Sequence, residues 1–248
     1  MTYKMRARKQ TKISPAGAYK ALYGKFGPQG WWPVTRPAGK GPAYHRLEYS
    51  GKSPGEKFEI CAGALLTQNT SWKNVERALV NLERAGALSV EKTASMGRAR
   101  LASLIRPSGY YNQKAGRLKG FALYVAKHYG GDIARLLDKP AGALREELLA
   151  IKGIGPETAD SMILYAAEKP SFVVDAYTLR LGRRLGWFAQ DVKYDTARRT
   201  LSSGIFKSLK VYNEFHALVV AHSKQYCRKK PVCAGCPVRS KCRYEREP

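Results

Sequence analysis

Four of the five cysteines in this 248-residue chain lie close together, with five, two and five residues between them. They are Cys227, Cys233, Cys236 and Cys242. Disulfides are disfavoured in a reducing cytosol, so four thiols at this spacing predict a ligand set for zinc or for an iron–sulfur cluster. Paired CxxC units are more typical of zinc, whereas one central CxxC between two single cysteines suits a cubane of four irons.

The segment around these cysteines is strongly basic, which predicts a surface that contacts phosphate whichever metal organises it. Its basic residues are Arg228, Lys229, Lys230, Arg239, Lys241 and Arg243. The fifth cysteine, Cys61, lies in an apolar run and is predicted to be a buried core thiol.

A second candidate site is the glycine-containing turn Lys152, Gly153, Ile154 and Gly155, which is followed by Pro156. Glycines permit positive φ, and a proline favours the first position of a helix. Amide groups at a helix N-terminus bind phosphate, and Lys152 adds a positive charge. The turn therefore predicts a phosphate contact, with an ordinary hairpin of two helices as the alternative.

A third candidate is Asp175, which follows the apolar residues Phe172, Val173 and Val174 and opens the next predicted helix. A carboxylate in this position commonly caps the helix by accepting a backbone N–H. From these residues alone, capping is therefore the expected role of Asp175.

The overall charge points to a polyanionic partner. The chain has 44 Lys and Arg against 19 Asp and Glu, a formal charge of +25, and nucleic acid is the natural partner for such an excess. A merely basic protein is the alternative. Residues 1–12 are predicted to form a basic arm. No long apolar run predicts a membrane span or a signal peptide, so we expect a cytoplasmic, nucleoid-associated protein.

The elements that must position these residues are predicted to be helices, because apolar residues recur three or four apart and nowhere alternate. The fold class is therefore all-α. The predicted helices span residues 14–26, 58–66, 72–82, 98–105, 115–129, 143–151, 157–167, 177–185, 194–201 and 212–223. Residues 27–55 are predicted to be a long irregular loop that carries the pair Trp31 and Trp32.

Three of these features, in this order, resemble the endonuclease III branch of the helix-hairpin-helix DNA glycosylases. They are KGIGPETAD at 152–160, VVDAYTLR at 173–180 and the four cysteines. The resemblance covers roughly residues 55 to 242. It implies that residues 152–155 grip the backbone of damaged double-stranded DNA, that Asp175 is catalytic, and that the cysteines hold a structural [4Fe–4S] cluster. The first cysteine gap is one residue shorter than in endonuclease III.

One departure from that family changes the expected chemistry. Bifunctional members carry a nucleophilic lysine two residues after the last hairpin glycine, where this chain has Glu157. A glutamate cannot form a Schiff base, so the resemblance implies a monofunctional enzyme that uses water. Asp175 would then stabilise an oxocarbenium-like sugar and orient the water. Glu157 is also a favourable acid for a first helical turn.

A second resemblance, to bacterial 3-methyladenine glycosylases of the endonuclease III type, rests on four short segments. These are WWP at 31–33, KFE at 57–59, LTQNT at 66–70 and RPSGYYNQK at 106–114. The resemblance implies that Phe58 and either Trp31 or Trp32 sandwich the flipped base, with Pro33 and Glu157 beside it. Base stacking on an aromatic ring contributes about 1–3 kcal/mol, similar to the cost of flipping. A hydrophobic plug is the alternative for the tryptophan loop.

The polar loop that holds Gln68 and Asn69 is predicted to lie between two helices. The resemblance implies that a side chain of this loop enters the duplex and fills the space left by the flipped base. A loop that is polar only for solvation is the alternative.

We expect a monomer of two helical lobes with DNA in the cleft between them. The predicted parts are an N-terminal arm and aromatic loop, a barrel-like lobe with the hairpin, a C-terminal helical lobe and a cluster loop, over residues 1–52, 53–172, 173–226 and 227–242. The expected reaction is hydrolysis of the N-glycosidic bond of an alkylated purine. The alternatives are a mismatch uracil or thymine glycosylase, an oxidised-base glycosylase, and a non-catalytic iron–sulfur DNA-binding regulator.

Overall fold

The computed structural model of the chain describes residues 12–36 and 40–244. The described residues form twelve α-helices and no β-strand, which confirms the all-α class. The helices are α1 Pro15–Phe26, α2 Pro54–Leu66, α3 Trp72–Arg84, α4 Val90–Ser95, α5 Arg98–Leu104, α6 Tyr111–Tyr129, α7 Ile133–Leu137, α8 Ala141–Ala150, α9 Pro156–Ser161, α10 Ala176–Leu185, α11 Tyr194–Ser203 and α12 Leu209–Gln225. Of the predicted basic arm, residues 1–11 lie outside the described part.

The chain divides into two compact units, which are described separately below. The hairpin unit comprises the described residues of 28–173 and 207–217. The cysteine unit comprises the described residues of 1–27, 174–206 and 218–248. None of the described helices is long and apolar enough to cross a bilayer.

Helix α2 forms the centre of the hairpin unit, where it contacts α3, α6, α7 and α9. Every residue from Phe58 to Leu66 is buried, because other helices pack around this segment. Ser53 caps its N-terminus: the Ser53 side chain accepts from the Glu56 amide, and the Glu56 carboxylate accepts from the Ser53 amide at 2.7 Å. This reciprocal capping fixes where the helix begins.

The C-terminal end of α2 is capped by a buried lysine from α6. Lys114 is 2% exposed, and its Nζ donates to the carbonyl oxygens of Leu66 at 2.9 Å and Ser108 at 2.6 Å. Carbonyls at a helix end lack intrahelical partners, so this ammonium group satisfies one of them. Burial, followed by the nearby charge of Arg117, lowers the pKa of Lys114 to about 8.

In the cysteine unit, α1 is held against residues far away in the sequence. The Ala16 amide donates to the Gly204 carbonyl at 3.3 Å, and Trp187 Nε1 donates to the Ile13 carbonyl at 2.7 Å. A Cβ atom on Gly204 would lie 2.6 Å from the Pro15 ring, so only glycine fits this contact.

The predicted helix over residues 157–167 needs correction. The structure ends α9 at Ser161 and continues with one π-helical turn, Met162–Ala166. All five residues of that turn are buried, so their sequence carries no amphipathic pattern that would distinguish one helix type from another.

Candidate DNA-binding hairpin and cysteine site

Helices α8 and α9 are joined by a tight turn that needs glycine at residue 153. Gly153 has φ +96°, and a Cβ there would lie 2.6 Å from the Arg117 side chain. Gly155 precedes α9 and offers no side chain to cap its amides. Lys152 is exposed beside this turn, whereas Ile154 is buried and anchors it. The turn therefore combines a helix start without a side-chain cap and an exposed positive charge, two features that favour a phosphate contact.

A buried ion pair fixes the two hairpin helices to each other. Arg145 of α8 donates from Nε to Asp160 Oδ1 at 3.1 Å and from Nη2 to Oδ2 at 3.2 Å. Ser171 Oγ also donates to Asp160 Oδ1, at 2.5 Å. Because the Asp160 side chain is fully buried, these donors compensate for its lost contact with water and fix the orientation of the carboxylate.

The loop between α2 and α3 contacts the hairpin through Gln68. Gln68 Nε2 donates to the Gly153 carbonyl and to Thr158 Oγ1, while Arg117 Nη1 donates to Gln68 Oε1. Asn69, in contrast, is exposed and has φ +53°, in the left-handed region. The two predicted DNA-contacting residues therefore have different roles in the structure: Gln68 is engaged within the unit, and Asn69 faces solvent.

An aromatic cluster surrounds the Trp31 and Trp32 pair. The Trp31 ring lies 5.6 Å from that of Tyr44 and 5.5 Å from that of Trp72, and the Trp32 ring lies 5.2 Å from that of Tyr165. Trp32 is only 5% exposed, whereas Trp31 is half-buried. Trp31 is therefore the more exposed member of the pair.

Phe58, the predicted partner of the tryptophan in the base sandwich, lies in the core, as does the neighbouring Pro33. Phe58 is 1% exposed and stacks on Phe121, with 6.4 Å between ring centroids and 13° between ring planes. Pro33 is also buried. The exposed Glu157 lies in the first turn of α9.

Glu59 is a buried acid that sequence reasoning did not single out. It lines a cavity of about 670 Å³, and the Thr35 amide and hydroxyl each donate to its carboxylate at 2.8 Å. Burial raises the pKa of Glu59 to about 7, although the Thr35 hydrogen bonds oppose this shift.

In the cysteine unit, Asp175 caps α10. Its Oδ1 accepts a hydrogen bond from the Thr178 amide at 2.7 Å, and its side chain is half-buried. The preceding amide, of Val174, donates to the Tyr194 hydroxyl at 3.4 Å. These contacts fix the position and orientation of the carboxylate.

The four clustered cysteines line one small cavity together with His222 and Arg184. No carboxylate is among the described residues that line it. Within the described ranges, no three His, Cys, Asp or Glu groups are placed to hold a single metal ion. A lining of thiols without carboxylates suits a soft, iron-containing or zinc-containing centre.

Two nitrogen groups that sequence reasoning missed reach the sulfurs of this cavity. Arg184 Nη1 donates to Cys227 Sγ at 3.1 Å, and His222 Nε2 lies 3.2 Å from Cys236 Sγ. Burial, followed by the charges of Arg180 and Arg184, lowers the pKa of His222 to about 4.

Arg184 also organises the loop itself. Its guanidinium donates to the carbonyls of Arg228 at 2.8 Å and Lys229 at 3.1 Å and lies over the Tyr244 ring. Arg180 Nε donates to the Cys227 carbonyl at 2.7 Å. Two arginines of α10 therefore hold the first part of the cysteine loop. Nothing in the sequence indicates that these two arginines contact the loop.

Known proteins resemble this chain along most of its length. It is 42% identical over 226 residues to a Methanocaldococcus jannaschii protein provisionally named as a DNA repair glycosylase, covering 90% of this chain and 93% of that protein. The crystal structure of Helicobacter pylori 3-methyladenine DNA glycosylase bound to 1,N6-ethenoadenine matches with a TM-score of 0.68 and 30% identity, over 86% of this chain and 98% of the other.

A non-covalent endonuclease III–DNA complex matches with a TM-score of 0.70 over 93% of this chain and 96% of that one. At 19% identity this likeness shows the fold alone. Residues 62–206 also match the family model described as the HhH-GPD superfamily base excision DNA repair protein. With more than half of its length matched and the hairpin in place, the chain belongs to the HhH-GPD superfamily of base excision DNA repair proteins.

Proposed function

We propose that this DNA repair glycosylase is monofunctional and removes alkylated purines of the 3-methyladenine type from double-stranded DNA. The observation that carries the proposal is the aromatic cluster around the half-buried Trp31, because an electron-poor alkylated purine stacks well on an indole ring. The likeness to the H. pylori 3-methyladenine enzyme supports the same substrate class.

Trp31 is our candidate for the ring that stacks on the flipped base. Trp32 packs against Gly63, where an added Cβ would lie 3.2 Å from the indole, and so supports Trp31 from behind. Pro33 and Phe58 complete the proposed pocket from the core, and Phe58 would have to leave Phe121 to stack directly on a base. Glu157 is proposed to lie beside the pocket.

Asp175 is proposed to be the catalytic carboxylate. Its negative charge would stabilise the positive charge that develops on the sugar as the N-glycosidic bond breaks. The same carboxylate would orient a water molecule and accept its proton as the water oxygen bonds to the anomeric carbon. The electron pair of the broken N-glycosidic bond leaves with the base and neutralises the positive charge that alkylation placed on it. The hydrogen bond from the Thr178 amide supports this role, because it holds the carboxylate in one orientation.

Contacts with DNA are proposed for residues 152–155 of the hairpin turn and for Gln68 and Asn69. The turn would hold a phosphate through its backbone amides and Lys152. Asn69 is the exposed member of its loop and is the better placed of the two to enter the duplex.

We also propose that Cys227, Cys233, Cys236 and Cys242 hold a [4Fe–4S] cluster. The shared thiol-lined cavity and the two nitrogen groups within 3.2 Å of its sulfurs support this assignment. When bound, the cluster would cross-link the basic loop and fix it as a DNA-facing surface.

The deciding experiment is chromatography of the bases that the purified protein releases from methylated duplex DNA. We expect 3-methyladenine to be released at a rate well above that of a protein-free control. Release of only uracil, mismatched thymine or an oxidised base, each from a duplex that carries it, would assign the protein to an alternative glycosylase class. Tight binding with no release from any of these substrates would favour the non-catalytic regulator.

DNA binding itself is tested by its dependence on salt. If about six phosphates are neutralised, the logarithm of the association constant should fall with the logarithm of the salt concentration at a slope of roughly −5. A salt-independent affinity would contradict a role for the +25 charge in binding.

A further inference from the structure

The sulfurs of Cys227 and Cys236 each have a nitrogen neighbour at hydrogen-bond distance. Arg184 reaches Cys227 from α10, and His222 reaches Cys236 from α12. His222 is 1% exposed, so its ring cannot exchange this contact for one with water. Buried polar groups in folded proteins are nearly always hydrogen-bonded, and Cys236 Sγ is the partner available to the ring.

The surroundings of His222 decide which of its nitrogens carries the proton. Nε2 has Cys236 Sγ at 3.2 Å, whereas Nδ1 is buried and has no hydrogen-bond partner among the described residues. A proton on Nδ1 would leave a buried donor unsatisfied and would leave the thiolate without a donor. The favoured tautomer of the neutral ring therefore carries its proton on Nε2 and donates it towards the sulfur.

We propose that Arg184 and His222 are positioning residues whose N–H···S hydrogen bonds to Cys227 and Cys236 raise the reduction potential of the bound cluster. This inference rests on the [4Fe–4S] cluster proposed above. The redox couple is the one-electron reduction of the cluster. An electrode supplies the electron, no bond is broken and no proton is transferred.

The physical reason is the negative charge on the ligands. Thiolate sulfurs share the electron density of the cluster, so their charge increases when the cluster gains an electron. A hydrogen bond to a charged acceptor strengthens as that charge grows, and the reduced state is therefore stabilised more than the oxidised one. Losing either donor should lower the potential.

The two donors differ in what else they do. Arg184 also holds the backbone of the loop through Arg228 and Lys229, so its replacement changes loop structure as well as the sulfur contact. The His222 ring, in contrast, has Cys236 Sγ as its hydrogen-bond partner and does not bind the backbone of the loop. His222 is therefore the cleaner position for a substitution.

The test is the midpoint potential of anaerobically purified, DNA-free protein, with iron and sulfide content measured on the same samples. His222→Phe keeps a planar ring without a donor, and His222→Gln restores an N–H near the position of Nε2. We expect His222→Phe to shift the one-electron equilibrium about tenfold towards the oxidised state, or about 59 mV, and His222→Gln to recover most of that shift.

A second pair of variants separates hydrogen bonding from charge. Arg184→Lys keeps the positive charge but loses the guanidinium fork, whereas Lys230→Ala removes an exposed charge of the same loop. We expect a lowered potential in Arg184→Lys and a smaller change in Lys230→Ala. If His222→Phe does not retain iron, the potential of Arg184→Lys tests the inference through the other hydrogen bond.

Wild-type potentials in both His222→Phe and Arg184→Lys would overturn the inference, as would equal shifts in Lys230→Ala and Arg184→Lys. Zinc in place of iron and sulfide in the wild type would overturn both the inference and the cluster assignment. Base release by the same wild-type preparation decides the glycosylase proposal separately, so failure of one can be told from failure of the other.

Discussion

The side-chain amide of Gln68 donates to the carbonyl oxygen of Gly153 at 3.2 Å and so joins the loop after α2 to the hairpin turn. The same nitrogen lies 3.0 Å from Thr158 Oγ1, and Arg117 donates to the Gln68 oxygen. The geometry of the proposed phosphate contact therefore depends on a residue that lies outside the hairpin sequence.

Replacing Gln68 should loosen the hairpin. Gln68→Ala removes hydrogen bonds that each contribute about 1 kcal/mol, so we expect Tm to fall by about 4–8 °C for a loss of about 2 kcal/mol. Affinity for an abasic duplex should fall as well. Asn69→Gly is the matched control, because glycine tolerates the positive φ of residue 69, and loss of the exposed side chain should affect DNA binding with little effect on Tm. Equal Tm values for the Gln68→Ala variant and the wild type would contradict the positioning role.

Replacing Asp175 tests the proposed chemistry. Asp175→Asn keeps the size of the side chain and most of its capping ability but removes the negative charge. We expect base release to fall by about two to four orders of magnitude, the range typical of a lost catalytic acid or base, with binding to abasic DNA retained. Asp195→Asn, in the first turn of α11, is the control. Full activity of the Asp175→Asn variant would show that Asp175 only caps the helix.

The glutamate at residue 157 predicts the products of the reaction. Without an amine at this position, we expect methylated duplex to lose its base without strand scission, so that nicks appear only after alkali treatment. Borohydride should trap no covalent protein–DNA adduct, with a bifunctional endonuclease III as the positive control. Efficient trapping by the wild type would show that another lysine supplies the nucleophile.

Glu59 should make stability depend on pH. Its pKa is about 7 in the folded protein and near 4.5 when unfolded, so the folded state holds a proton that the unfolded state releases between these values. The free energy of unfolding should therefore fall by about 3 kcal/mol as pH rises through this window. Glu59→Gln should remove most of that fall, and the exposed Glu91→Gln should not.

Denaturant unfolding at about pH 5 and about pH 8 measures this difference. The prediction fails if the wild type and Glu59→Gln change in parallel between the two conditions. In Glu59→Gln the amide oxygen can accept from the Thr35 amide and the amide nitrogen can donate to the Thr35 hydroxyl, so the comparison isolates the titrating proton.

Long helices with an apolar face were predictable from the sequence, and short ones were not. The prediction for residues 72–82 agrees with α3 to within two residues because four buried side chains repeat along it. Helices α4 and α7 were missed, since six and five residues are too few to show a helical period. The π-helical turn after Ser161 was missed because burial on all sides removes the pattern.

The candidate site was predictable where the signal is local. The glycines at 153 and 155 and the capping aspartate at 175 are each recognisable from their immediate neighbours. The contacts of Gln68 with the hairpin and of Arg184 with Cys227 join residues 85 and 43 positions apart. Such pairings depend on how helices pack, and a single sequence does not record them.

The division of the chain also has a consequence for the order of synthesis. All residues of the hairpin unit, in 28–173 and 207–217, are made before the first clustered cysteine at 227, whereas the cysteine unit combines early, middle and late segments. Contacts such as that of Ala16 with Gly204 cannot form until the later segment has been translated. We therefore expect the thiol cavity to form only after the residues of the hairpin unit have been synthesised, so that loading of the proposed cluster would be a late step in maturation.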